Sequence, residues 1–122
     1  MIHEEICTYE VCKLAKKKGF DVPTHYAYND NCRKAMYMEL CLNRNTKDNR
    51  SISAPTQSLL QRWLREEKNI DIAIVPLFTG VYSYIVYNIH CRDNRVVNTN
   101  AGYANFPLAL DDALKNALEH LA

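Results

Sequence analysis

Apolar positions along the chain change period several times, and each change marks an element. Val11, Leu14 and Ala15 recur at helical spacing between Thr8, a capping residue, and Lys16-Lys17-Lys18, whose charges suit the negative end of a helix dipole. Gly19 supplies a left-handed stop, and Phe20 can fold back on the last turn. Pro23 opens an extended stretch, Thr24 to Asn29, with Tyr26 and Tyr28 on one face, and Asn29-Asp30-Asn31 has turn chemistry. Lys34 to Leu42 then alternates. Met36, Met38, Leu40 and Leu42 share one face against Ala35, Tyr37, Glu39 and Cys41, which predicts a half-buried strand in a hairpin. Arg44 to Ser53 is polar and without period, and is expected to be a loop.

Ser53-Ala54-Pro55-Thr56 announces a second helix, with proline in its first turn and Ser53 or Thr56 as cap. Leu59, Leu60, Trp63 and Leu64 form its buried stripe, Gln61, Arg62, Arg65 and Glu66 face water, and Asn69 ends it. Ile70, Ile72 and Ile74 alternate with Asp71 and Ala73 in a strand reaching Phe78, where Pro76 demands a bulge or an edge. Thr79-Gly80 turns the chain into a strand from Val81 to His90, and Arg95 to Thr99 is a short further strand. Leu110, Ala113, Leu114, Ala117, Leu118 and Leu121 give a closing amphipathic helix.

The predicted order is α-β-β-α-β-β-(β)-α. Short hairpin connections make the sheet antiparallel, so the expected fold is a single α+β domain over residues 1–122. It would hold one antiparallel sheet of four to five strands, with three helices mainly on one face.

Composition narrows the class. A chain of 122 residues with 48% hydrophobic and 24% charged residues has too much apolar matter for disorder, and 3 Gly with 4 Pro exclude repetitive or linker-like sequence. No segment has the length of a membrane span, and the acidic start Met1-Ile2-His3-Glu4-Glu5 is unlike a secretory signal, so a cytoplasmic location is expected. The five cysteines, Cys7, Cys12, Cys32, Cys41 and Cys91, are odd in number and contain no Cys-x-x-Cys, which favours reduced thiols. Cys12 and Cys41 read as small hydrophobes.

Candidate chemistry is sparse. Cys7, Cys12, His90 and Cys91 do not follow standard zinc spacing, and no metal or other cofactor is expected. His25 could meet Cys32 or Cys91, but adjacent His90 and Cys91 would point to opposite strand faces. Asp111-Asp112 and Glu66-Glu67 read as solvated helix positions, and there is no glycine-rich phosphate loop. No catalytic residue is assigned; a thiol-dependent enzyme is the second alternative to the main reading.

The net charge of +1 is unevenly placed. Residues 55–122 have the α-β-β-β-α element order of double-stranded-RNA-binding domains, a resemblance of order alone. Yet six Lys+Arg there meet seven Asp+Glu, and Asp111-Asp112 open the last helix where such domains carry lysines, so nucleic acid is not the favoured partner. The front half carries nine Lys+Arg against seven Asp+Glu, and Lys16, Lys17, Lys18, Arg33 and Lys34 form a candidate basic patch for the nucleic-acid alternative. The stronger clue is aromatic surplus: eight Tyr, one Trp and three Phe. Tyr26, Tyr28, Tyr37, Tyr82, Tyr84 and Tyr87 are the candidate interface residues, on a sheet face left to a protein partner or a second copy.

Two segments carry a family resemblance. Thr8-Tyr9-Glu10-Val11-Cys12-Lys13-Leu14-Ala15-Lys16-Lys17-Lys18-Gly19-Phe20-Asp21 and Ser53-Ala54-Pro55-Thr56-Gln57-Ser58-Leu59-Leu60-Gln61-Arg62-Trp63-Leu64-Arg65-Glu66 resemble short uncharacterised proteins of gut Bacteroidetes and their phages and prophages. Members of that group usually carry a histidine shortly after Trp-Leu-Arg, where this chain has Glu67 or Lys68. The resemblance implies a mobile-element or bacterial origin and no activity. The expectation is a small non-enzymatic accessory or interaction protein.

Overall fold

The computed structural model describes residues 4–29, 32–45, 51–78, 80–88, 96–97 and 102–120. Helix α1 (Tyr9–Lys17) begins where Thr8 Oγ1 accepts the Val11 N–H. It ends as the sequence predicts. Gly19 takes φ +96°, and Gly19 N–H and Phe20 N–H donate to Lys16 O and Ala15 O, closing a Schellman turn. Phe20 folds under that turn against Trp63, ring edge to ring face at 5.3 Å.

The chain continues through β1 (Thr24–Asn29), β2 (Cys32–Leu42) and β3 (Ser51–Ser53), then α2 (Gln57–Glu67). After α2 come β4 (Ile70–Phe78), β5 (Val81–Asn88), β6 (Val96–Val97) and α3 (Phe106–His120). The α+β class and the predicted order hold, with one strand added. β3 lies inside the segment expected to be a loop, and it pairs antiparallel with β1 through Ala27–Ser53, Tyr28–Ile52 and Asn29–Ser51. Asn45 pins this return: its Nδ2 donates to Phe20 O, and its Oδ1 accepts from Ser53 N.

The single sheet is corrected to two antiparallel sheets, ordered β2-β1-β3 and β4-β5-β6. The cause is β3. It takes the free edge of β1, and the chain leaves it directly into α2. Residues just beyond β3 pair instead with the N-terminal segment, where Ile6 bridges Thr56 and Cys7 N–H donates to Pro55 O. β4 therefore starts a separate sheet, pairing with β5 from Ile70–Asn88 to Phe78–Val81 and bulging after Pro76 as predicted.

Thr56 caps α2 by accepting the Leu59 N–H; Pro55 stands one residue before the cap rather than in the first turn. Asn69 ends the segment at φ +58°. Gln61, expected in water, is half-buried and its Nε2 donates to Ile72 O, tying α2 to β4. α1 packs on the first sheet, α2 on β4, and α3 on β4, β5 and both other helices. One core joins them all: Val11, Cys12, Phe20, Ile52, Leu60, Trp63, Leu64, Ile70, Val86, Leu114 and Leu118 are buried together. The α3 stripe holds from Leu110 to Leu118, and Leu121 lies outside the described residues.

Candidate functional site

β2 is the outer strand of the first sheet, and its alternation is not what its sequence implies. Tyr26 pairs with Tyr37, yet Thr24 pairs with Leu42, so residues 38–41 stand opposite His25 alone. Cross-strand partners share a face, so this bulge puts Leu42 on the face of Tyr37 and breaks the Met36-Met38-Leu40-Leu42 stripe. Side chains fill the bulge's backbone needs: His25 Nδ1 donates to Met38 O at 3.1 Å, and Arg44 Nη2 donates to Leu40 O at 3.0 Å. The consequence is exposure. Met36 is 47%, Tyr37 61%, Leu40 67% and Leu42 46% exposed on the edge strand.

Tyr37 is the hub of a small aromatic group. Its ring stacks on His25 with centroids 5.8 Å apart and meets Tyr26 edge-on at 5.4 Å. His25 and Tyr26 also line an apolar cavity of about 300 Å³ with Cys41, Pro55 and Leu59. Cys41, read as a small hydrophobe, is instead an exposed free thiol beside His25. That neighbourhood was not legible in the sequence because the bulge alone brings residue 41 back toward residue 25. The pairings considered for His25 fall outside the described positions: nothing is described of the Cys32 side chain, of His90 or of Cys91. Among the described residues no three of His, Cys, Asp and Glu gather as metal donors.

The six candidate tyrosines do not form one surface, because the sheet is split. Tyr26, Tyr28 and Tyr37 belong to the first sheet; Tyr82, Tyr84 and Tyr87 belong to β5. Tyr28 is buried against Tyr9, and its hydroxyl donates to Cys7 O at 2.8 Å. Burial, with the Cys12 and Cys7 thiols close by, pushes its phenol up to about 12. Tyr84 is 2% exposed, Tyr82 lies half-buried against Phe106, and Tyr87 pairs with Asp71 and Val96. Only Tyr37 stands largely free among these six.

Asp111 and Asp112 correct the reading of α3's acidic pair as solvated. Thr8 Oγ1 donates to Asp111 Oδ1 at 3.0 Å, which joins the α1 cap to α3, and burial raises the Asp111 carboxyl against the lowering pull of those bonds. Asp112 Oδ2 accepts from Tyr84 and from Tyr103, and Asn116 Nδ2 donates to the Tyr84 hydroxyl at 2.8 Å. Burial raises both phenols. Asp112 is a structural clasp between β5, the loop before α3 and α3 itself, while Asp111 ties α3 to α1. Near it, Cys7 and Cys12 are buried free thiols; a hydrogen bond with the Cys12 side chain, then burial, raises the Cys7 thiol well above its usual range.

The candidate basic residues come from two elements, α1 and β2. Lys16 Nζ donates to Ser51 O on β3 at 2.8 Å, while Lys34 is exposed on β2, with β1 between the two strands. Two strand spacings separate them, about 10 Å. Lys17 and Lys18 stay at the end of α1, and the Arg33 side chain lies outside the described residues.

No family model, curated protein or solved structure matches this chain. Among the described residues, no helix is long and apolar enough to cross a membrane.

Proposed function

We propose that the protein is a small, non-enzymatic accessory protein of a mobile element or its bacterial host. It docks a protein partner, or a second copy of itself, along β2. The observation that carries this reading is the apolar exposure of Met36, Tyr37, Leu40 and Leu42 on the outer strand of the first sheet. An outer strand presents unpaired N–H and C=O groups, and one that also exposes large apolar side chains is a template for a further strand. Tyr37 and Leu42 share one face of that strand, and soluble proteins rarely leave clustered large apolar side chains bare without a use for them. Tyr37 suits the role of anchor: a rigid aromatic fixed by His25 and Tyr26 loses little entropy when covered. The bulge at 38–41 confines flat pairing to the first half of β2, which limits indiscriminate association.

The test is site-specific photo-crosslinking in the native host. A photoreactive residue in place of Leu40 is expected to trap one discrete partner or a second copy. The same residue at Arg62, on the solvent side of α2, is expected to trap neither. Equal crosslinking from both positions, or none from Leu40, overturns the reading.

A further inference from the structure

A second surface carries a different chemistry, independent of β2. The N-terminal segment runs antiparallel to the start of α2: Cys7 N–H donates to Pro55 O at 2.9 Å, and Gln57 N–H donates to Glu5 O at 2.8 Å. This ladder holds Glu4 and Glu5, both exposed, at the rim of an apolar groove of about 380 Å³. Phe106, Pro107 and Leu110 from the start of α3 supply the apolar lining, and Phe106 is 47% exposed. That volume lies within the range of small-ligand sites.

The hydrogen-bonding groups in the lining are one-sided. Its side-chain donors are mostly engaged: Ser58 Oγ donates to the Glu4 carboxylate at 3.1 Å, and one N–H of Gln57 Nε2 donates to Pro107 O at 2.9 Å, which leaves one amide N–H against several acceptors. The acceptors are not used up. Glu5 has a whole carboxylate, Glu4 has further lone pairs, and Gln57, only 7% exposed, leaves its Oε1 without a hydrogen-bond partner among the described residues. Among the described residues that line it, the groove contains two carboxylates and no cationic side chain. The positive ends of α2 and α3 offset part of that charge, each by about half a unit, so the groove stays anionic. An occupant must therefore bring N–H donors, positive charge and apolar surface together.

We propose that this groove binds an organic cation: a primary ammonium or guanidinium carried on an apolar body. The charge lies at Glu4 and Glu5, an N–H reaches Gln57 Oε1, and the body covers Phe106, Pro107 and Leu110.

Three probes of matched shape test it on the full chain by amide chemical-shift titration: hexylammonium, hexanol and hexanoate. Hexylammonium is expected to bind about tenfold more tightly than hexanol, the equivalent of about 1.4 kcal/mol, with shifts at residues 5, 57, 58, 106 and 110. Hexanoate is expected to bind least, and salt is expected to weaken only the ammonium. The double substitution Glu4→Gln, Glu5→Gln removes the ammonium's advantage and leaves hexanol unchanged. Should that variant fail to fold, the three-probe comparison and its salt dependence on the wild-type chain decide alone. Equal binding of all three probes, preference for hexanoate, or no shifts around the groove overturns the proposal. A capped Leu-Lys-Leu peptide separates the sources. Tighter binding than hexylammonium assigns a lysine of a partner chain, weaker binding assigns a free amine, and binding by neither overturns it.

Discussion

Replacing Asp112 by alanine removes the acceptor shared by Tyr84 and Tyr103. Bonds to a charged acceptor contribute about 1.5–3 kcal/mol each at most, and a buried donor left alone costs about 1–3 kcal/mol. The two phenols are not equal. Tyr84 is 2% exposed, and its hydroxyl is already an acceptor for Asn116, so the neighbouring Tyr103 hydroxyl is the second partner left for its proton. Tyr103 is half-buried and can turn to water. The expected loss is therefore about 2–4 kcal/mol for Asp112→Ala, nearer the lower end if Tyr103 rehydrates fully. Asp112→Asn keeps the shape and one acceptor oxygen, and is expected to cost about 1 kcal/mol. Urea unfolding reports both through Trp63, which is the only tryptophan and is buried against Phe20. The midpoint should fall with the slope unchanged. A double-mutant cycle with Tyr103→Phe should show coupling, since the second change then has no bond left to break. An Asp112→Ala protein within about 0.5 kcal/mol of wild type refutes the clasp.

Alkali should unfold the protein over a defined range. The folded state holds the Tyr28, Tyr84 and Tyr103 protons more tightly than the unfolded chain does, so their stabilisation is whole below pH 10 and is lost as pH rises above it, for Tyr28 between 10 and about 12. Tyr28→Phe should flatten that loss in a pH series of unfolding midpoints; an unchanged slope contradicts the assignment. Iodoacetamide should label Cys41 quickly and spare Cys7 and Cys12 until unfolding, as read by peptide mass spectrometry, because only Cys41 of these three is exposed. Labelling of Cys7 at the Cys41 rate would be incompatible with this packing. Gly19→Ala should cost about 1 kcal/mol by thermal melting: φ is +96° there with no neighbouring atom to clash, so the cost is backbone strain alone. A neutral result would mean that α1 ends differently.

Local chemistry was legible and long-range pairing was not. Thr8, Gly19, Thr56 and Asn69 each act within four residues of themselves, so caps and stops read directly from the chain. The Pro76 bulge and the α3 stripe read for the same reason. Ser51-Ile52-Ser53 is too short to show a period and exists as a strand only because β1 accepts it across more than twenty residues. The split of the sheet follows from that one pairing. Asp111 looked solvated because its partner, Thr8, lies 103 residues away. Of the aromatic surplus, burial of Tyr28 and Tyr84 and the division between sheets leave Tyr37 as the tyrosine that stands most exposed on its sheet.

Hydrogen exchange on β2 tests the docking edge most directly. With the partner trapped from Leu40 bound, or at concentrations where copies associate, amides between residues 33 and 37 should slow at least about tenfold, while those of β4 should not change. Unchanged exchange along β2 in the complex, or protection confined to β4 and α3, would contradict the account.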